Sequence, residues 1–84
     1  MWYVYILESN KEKNWIYVGS TNNIVRRIAE HQAGMSLSTK GFLPVCLAAY
    51  IAVKSEETAR GLERYLKAGS GKAILKKRIL SDEA

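Results

Sequence analysis

The sequence predicts an α/β (α+β) domain with a small three-stranded antiparallel sheet flanked by about three helices, in the order β-β-α-β-α-α. Three segments rich in aromatic and β-branched residues are typical of strands, and the other periodic segments have the apolar spacing of helices. The chain has 84 residues, 48% hydrophobic and 25% charged, which suits one folded domain. We expect that domain over residues 1–80 and a short tail at 81–84.

The first half of the chain predicts a hairpin followed by a helix. Residues 2–7 and 15–18 are the predicted strands, joined by a polar loop, and Gly19 is expected to end the second strand. A helix over residues 24–31 comes next, and Gly34 is expected to stop it. Its N-cap candidates are Thr21, Asn22 and Asn23.

The second half predicts one more strand and two helices. Residues 35–43 are a predicted loop, and the third strand is expected over residues 45–53. Ser55 is the expected N-cap of the second helix, which ends before Gly69. A third helix is expected over about residues 71–80.

The overall charge indicates a partner of opposite sign. The formal net charge is +5, which suits a polyanion such as nucleic acid. The single cysteine, Cys46, excludes an internal disulfide and any multi-cysteine metal site. The longest apolar run, residues 42–53, is too short to cross a bilayer, and the N-terminus lacks the pattern of a signal peptide. We therefore expect a cytoplasmic location and no membrane association.

Two helices carry polar residues where their spacing calls for apolar ones. In the first helix, Arg27 and His31 complete the inward i, i+3, i+4, i+7 set that Ile24 and Ile28 begin. In the second, Glu63 lies four residues after Ala59, beside the apolar stripe. A partly buried carboxylate requires a cation or hydrogen-bond donors, so these positions mark a candidate site.

Structural explanations for the same residues remain open at this point. Arg27 and Glu63 are able to form a buried ion pair that only joins two helices. His31 is also explained as a helix-end residue that contacts the last carbonyls, and Tyr5 and Tyr17 as ordinary sheet aromatics.

Taken together, the spacings resemble those of the GIY-YIG nucleases. The resemblance rests on Tyr3-Val4-Tyr5, which stands for Gly-Ile-Tyr, and on Tyr17-Val18-Gly19, followed by Arg27, His31 and Glu63. It covers nearly the whole chain and is strongest for small stand-alone members, similar to the incision subunit of bacterial excision repair. No asparagine follows Glu63, as it does in many larger members, and their DNA-recognition domains have no counterpart here.

The resemblance implies hydrolysis of nucleic-acid phosphodiester bonds at a single divalent ion, Mg²⁺ or Mn²⁺. Glu63 would ligate the ion, and Arg27 would hold the phosphate oxygens. Tyr17 is the first choice for the residue that activates water, with Tyr5 alongside it. His31 would relay the proton or bond a tyrosine hydroxyl. Outside that site, a basic stretch that includes Lys67, Lys72 and Lys76, with Lys40 in the loop before the third strand, suits contacts to a nucleic-acid backbone, although a solvated helix face explains it equally well. Ser20, near the helix start, would add backbone N–H donors to a phosphate.

The expected activity is therefore a metal-dependent endonuclease that acts on DNA rather than RNA, in repair or recombination-type processing. The alternative is a nucleic-acid-binding module that keeps the nuclease fold and cleaves little or nothing. A guiding protein partner is compatible with either function, and the expected state is a monomer or a weak dimer.

Overall fold

A computed structural model describes residues 1–81 and contains one three-stranded antiparallel sheet. The strands are β1 (Trp2–Ser9), β2 (Ile16–Thr21) and β3 (Val45–Val53), in the order β2-β1-β3. The central strand β1 is thus paired on both sides, and its middle residues are fully buried. This confirms the predicted fold class and order of elements.

Five helical segments surround the sheet, and the structure gives their bounds as follows: α1 (Ile24–Gln32), α2 (Leu37–Lys40), α3 (Glu56–Lys67), α4 (Gly69–Ile74) and a π-helical turn (Leu75–Ile79) that continues α4. Two of them begin as the sequence predicts. The side chain of Asn23 accepts a hydrogen bond from the Arg26 amide, and that of Ser55 accepts one from the Thr58 amide. Gly34, at φ +79°, follows the end of α1.

Three boundaries differ from the sequence expectation. Strand β2 continues through Gly19 to Thr21, because Gly19 pairs with Tyr5 in the ladder instead of turning the chain. The predicted loop at 35–43 contains the single turn α2. The last helix starts earlier than expected and becomes π-helical, and residues 82–84 of the expected tail lie outside the described part of the chain.

The two faces of the sheet hold separate cores, because successive side chains of a strand point to opposite faces. Val4, Ile6 and Val18 pack under α3 and α4, together with Leu66 and other apolar residues. On the opposite face, Tyr5, Leu7 and Val45 pack with side chains of α1 and of the segment before β3. None of the helices within residues 1–81 has the length and apolar character needed to cross a membrane.

Truncation of Leu66 should destabilise the folded protein strongly, because Leu66 lies in the core under α3 and α4 and is only 2% exposed. We expect Leu66→Ala to lower the free energy of unfolding by about 2–5 kcal/mol, because burial is lost and a cavity remains. Urea unfolding measures the change. Leu37→Ala is the matched control, since Leu37 is 91% exposed, and its effect should stay within about 0.5 kcal/mol. Equal effects of the two variants would contradict this account of the core.

Candidate active site

The edge strand β2 carries polar side chains on both faces of the sheet. Tyr17 belongs to the face covered by α1, where it packs near Tyr5. Ser20 contacts Glu63 of α3, whose helix covers the opposite face. Because no strand among residues 1–81 pairs with the outer side of β2, groups from both faces meet around this edge.

A buried hydrogen-bond network is centred on the Tyr5 hydroxyl. This oxygen lies 2.9 Å from His31 Nε2, and Arg27 Nε donates to it at 3.3 Å. The other ring nitrogen, His31 Nδ1, lies 2.8 Å from Thr39 Oγ1. Tyr5, His31 and Thr39 are each at most 1% exposed, so the network is sealed from solvent apart from Arg27.

Burial determines the protonation of this network. It lowers the pKa of His31, with a further contribution from the Arg27 charge, so the imidazole is neutral at pH 7. Burial likewise raises the pKa of Tyr5. The consistent proton assignment has the Tyr5 hydroxyl donating to His31 Nε2 while His31 Nδ1–H donates to Thr39. Sequence analysis identified Tyr5 and His31 but missed Thr39, whose loop position showed no periodicity.

Gly19 makes room for the Tyr5 ring. Gly19 lies opposite Tyr5 in the β1–β2 ladder. A Cβ atom at position 19 would lie 2.5 Å from both Cζ and the hydroxyl oxygen of Tyr5. The absence of a side chain therefore allows the ring to lie across β2 and reach α1.

Arg27 connects the buried network to solvent. Besides Tyr5, it contacts Glu30 through Nη1 at 3.1 Å, and its side chain is 36% exposed. Its hydrogen bond to Tyr5 is the main cause that raises the pKa of Arg27. No acceptor within residues 1–81 contacts Nη2, which leaves the outer edge of the guanidinium available to a ligand. The alternative of a buried Arg27–Glu63 ion pair is not formed: Arg27 pairs with Glu30, and Glu63 pairs with Lys67.

Glu63 is held by two donors from different elements. Ser20 Oγ donates to Oε1 at 2.6 Å, and Lys67 Nζ donates to Oε2 at 2.7 Å. Burial by itself would raise the pKa of Glu63, but the hydrogen bonds from Lys67 and Ser20 outweigh it and lower that pKa. The carboxylate is therefore ionised at neutral pH, with 21% of its side chain exposed.

Tyr17 lies between the buried Tyr5–His31 network and the Glu63 carboxylate. Its ring centroid is 5.2 Å from that of His31 and 6.2 Å from that of Tyr5. On the other side, the Lys67 ammonium is 5.8 Å from the ring centroid. Tyr17 is only half-buried, and no residue among 1–81 bonds its hydroxyl. Of the two tyrosines, it is the one whose hydroxyl is free to contact a ligand.

Three of the predicted binding lysines follow the same edge. Lys67 and Lys72 line a cavity of about 150 Å³ together with Tyr17. Lys76 lines a neighbouring cavity with Ile16. The fourth, Lys40, is exposed at the end of α2, next to Thr39.

A metal ion at this edge would depend on few protein ligands. Glu63 and Ser20 are the adjacent oxygen donors, and no group of three His, Cys, Asp or Glu side chains suited to a metal occurs in the described part of the chain. Mg²⁺ is often bound by one or two carboxylates, with waters and substrate phosphates completing its octahedron. The residues present therefore fit a hydrated divalent ion that shares its ligands with a substrate, and they do not fit an all-protein site.

Comparison with known proteins relates the chain to a catalytic-domain family and to a relative of similar length. The model of the GIY-YIG catalytic domain matches residues 1–78. A UPF0213 protein of Natronomonas pharaonis is 37% identical over 82 residues, which cover 96% of this chain and 92% of the relative. No solved structure matches the chain.

The close approach at Gly19 predicts that a single methyl group displaces Tyr5. We expect Gly19→Ala to lower the free energy of unfolding by about 1–3 kcal/mol through overpacking. Gly61→Ala is the control: a Cβ there meets nothing within 4 Å, and alanine should stabilise α3 by about 0.5–1 kcal/mol. Urea unfolding of both variants measures the difference. A Gly19→Ala protein as stable as the unsubstituted chain would contradict the ring placement.

The lowered pKa of His31 predicts a loss of stability in mild acid. Unfolded histidine titrates near 6.5, whereas the folded protein binds that proton only at lower pH. The stabilisation is therefore complete above pH 6.5 and is lost as pH falls from there towards the folded-state pKa. His31 is the only histidine in the chain, so His31→Gln should flatten the slope of unfolding free energy between about pH 5 and 7. Equal slopes for both proteins would show that His31 is not the titrating group.

Proposed function

The chain belongs to the GIY-YIG family of nuclease domains, and on that premise we propose that it is a divalent-metal-dependent endonuclease that hydrolyses phosphodiester bonds in DNA. The observation that supports this proposal best is the meeting of Tyr17, Glu63 and Arg27 around one open sheet edge. Tyr17 provides a hydroxyl without a partner among residues 1–81, Glu63 an ionised carboxylate, and Arg27 a cation whose Nη2 has no acceptor in that same part of the chain.

Nucleases of this family generally depend on a divalent ion, and Mg²⁺ or Mn²⁺ is the proposed cofactor. Glu63 would hold it, with Ser20 fixing the orientation of the carboxylate through its hydrogen bond to Oε1. When bound, such an ion polarises the phosphate and stabilises the charge on the departing oxygen. Lys67 occupies Oε2, so its ammonium would move from Glu63 towards the phosphate or the Tyr17 ring.

Arg27 is the proposed phosphate ligand. Its planar fork suits the two non-bridging oxygens of a phosphodiester, and its Nε bond to Tyr5 keeps the guanidinium in one orientation. The Glu30 contact supports the same orientation from the exposed side. A preorganised donor of this kind contributes about 10²–10³ in rate, since it needs no reorganisation when charge develops.

Tyr17 is the proposed group that accepts the proton of the attacking water. In its phenolate form, Tyr17 takes one proton of the water as the water oxygen bonds to phosphorus and the bond to the leaving oxygen breaks, and the leaving oxygen then takes a proton from solvent. The Lys67 ammonium, 5.8 Å from the centroid of the Tyr17 ring, places a positive charge beside this tyrosine. Tyr5 is a poorer candidate because its hydroxyl is buried and its pKa is raised. We assign to Tyr5 and His31 the role of holding Arg27 in position.

The lysines along the β2 edge are the proposed backbone contacts. Lys67, Lys72 and Lys76 continue the positive surface away from Tyr17, and Ser20 lies beside it. Contacts of this type are independent of base sequence and weaken with salt. A repair or recombination-type role in the cytoplasm, with a guiding protein that supplies target selection, is the proposed setting.

The proposal predicts metal-dependent cutting of branched or single-stranded DNA that depends on three side chains. We expect Glu63→Gln to abolish cleavage and Arg27→Ala to slow it by about 10²–10³. Tyr17→Phe should also remove activity, because it deletes one oxygen atom and leaves the ring. The measurement is single-turnover cleavage with Mg²⁺ or Mn²⁺ against an EDTA blank.

Matched controls come from neighbouring exposed residues. Glu57→Gln on α3 and Arg26→Ala on α1 change the same charges outside the site and should cut normally. Cutting that persists in Glu63→Gln, or without a divalent ion, would overturn the proposed site. DNA binding without cutting by the unsubstituted protein would instead favour the binding-module function.

A further inference from the structure

The two edges of the sheet differ in chemistry. The β2 edge is bordered by Glu63, Lys67 and Lys72, whereas the outer edge of β3 is apolar and pairs with no strand in the described part of the chain. Over its nine residues, β3 contains no charged residue and no proline. Proteins usually protect such an edge with charges, prolines or a covering element, because free backbone groups there pair with another strand.

An exposed apolar groove continues this edge onto α1. It has a volume of about 450 Å³ and is lined by residues of α1 and β3, including Ile28 and Leu47. Two further lining residues are unusually exposed for their type, Val25 at 80% and Tyr50 at 55%. The groove lies on the same face as the Tyr5 network, since Tyr50 is the β3 partner of Tyr5.

We propose that the β3 edge pairs with the same edge of a second copy of this chain, forming a symmetric dimer. A second copy fits because its edge is equally uncharged, so neither chain buries an unpaired charge despite a net charge of +5 each. A strongly charged partner strand would instead lose solvation against this edge without a counter-charge. Three of the lysines, Lys67, Lys72 and Lys76, stay at the opposite edges of both copies, away from the contact.

The regular part of the β1–β3 ladder indicates which segment of β3 would pair with the second copy. A bulge in the β1–β3 ladder, between Ile6 and Leu7, interrupts regular geometry before residue 49. Residues 49–53 after the bulge are regular, and antiparallel pairing about Ile51 sets Tyr50 opposite Ala52 of the second copy. A large side chain thus faces a small one on the same face of the sheet.

The symmetry has a consequence for the candidate active site. Antiparallel copies are related by a two-fold axis perpendicular to the sheet, so both α1 grooves lie on the same side and adjoin each other. The result is a six-stranded sheet with β2 at each end. The two β2 strands are five strand spacings apart, about 24 Å. Two Tyr17 side chains would then face the same side of one assembly.

Sedimentation equilibrium of the full chain over a wide concentration range tests this proposal. We expect the mass to rise from the 9.5 kDa of one chain to twice that value as concentration increases. Tyr50→Lys places like charges at the contact and should raise the dimer dissociation constant roughly tenfold or more. Tyr65→Lys is the matched control, because Tyr65 is an exposed tyrosine (47%) on α3, and it should dimerise normally.

A second variant and a second measurement distinguish a loss of dimerisation from a loss of folding. Ala52→Lys charges the same edge at an exposed position and should have the same effect as Tyr50→Lys. Amide exchange of residues 49–53 should slow with concentration only in dimerising proteins, while circular dichroism reports the fold of each variant. A single-chain mass at every concentration, or unchanged dimerisation of both folded lysine variants, would overturn the proposal. So would assembly beyond two chains.

Discussion

The hydrogen bond between Tyr5 and His31 is the interaction around which this side of the molecule is organised. It joins the central strand to α1 across the sheet face, and its geometry depends on a bare backbone at Gly19. A buried hydroxyl and imidazole would be costly without partners, but the chain from Arg27 through Tyr5 and His31 to Thr39 satisfies each of them. The orientation of Arg27 at the surface follows from that buried arrangement.

The second constraint is the position of β2 at the edge of the sheet. Side chains on the two faces of an interior strand are separated by the sheet, but around an edge they can approach the same ligand. Tyr17 and Ser20 belong to different faces, and Glu63 reaches Ser20 from the helix layer opposite to α1. A site built this way needs few residues, which suits a chain of 84 residues that has one small core on each face.

Local periodicity explains why much of the site was predictable. Arg27 and His31 stand out because they take inward positions on α1, and Glu63 stands out because it borders an apolar stripe on α3. Both inferences need only the helical repeat. Their partners were not predictable in the same way: Glu30, rather than Glu63, is the carboxylate that contacts Arg27. Which side chains meet depends on how the helices cross the sheet, and spacing within one helix contains no such information.

The sequence by itself determined the order of the elements and the polar positions on two helices, because alternation and helical spacing are properties of short segments. Family membership also follows from it. Only the tertiary structure decided that Gly19 continues β2 and accommodates Tyr5, that Thr39 completes the network, and that the Tyr17 hydroxyl bonds none of residues 1–81. These features arise from contacts between residues far apart in the chain, and they exist only once the sheet and its helices are packed.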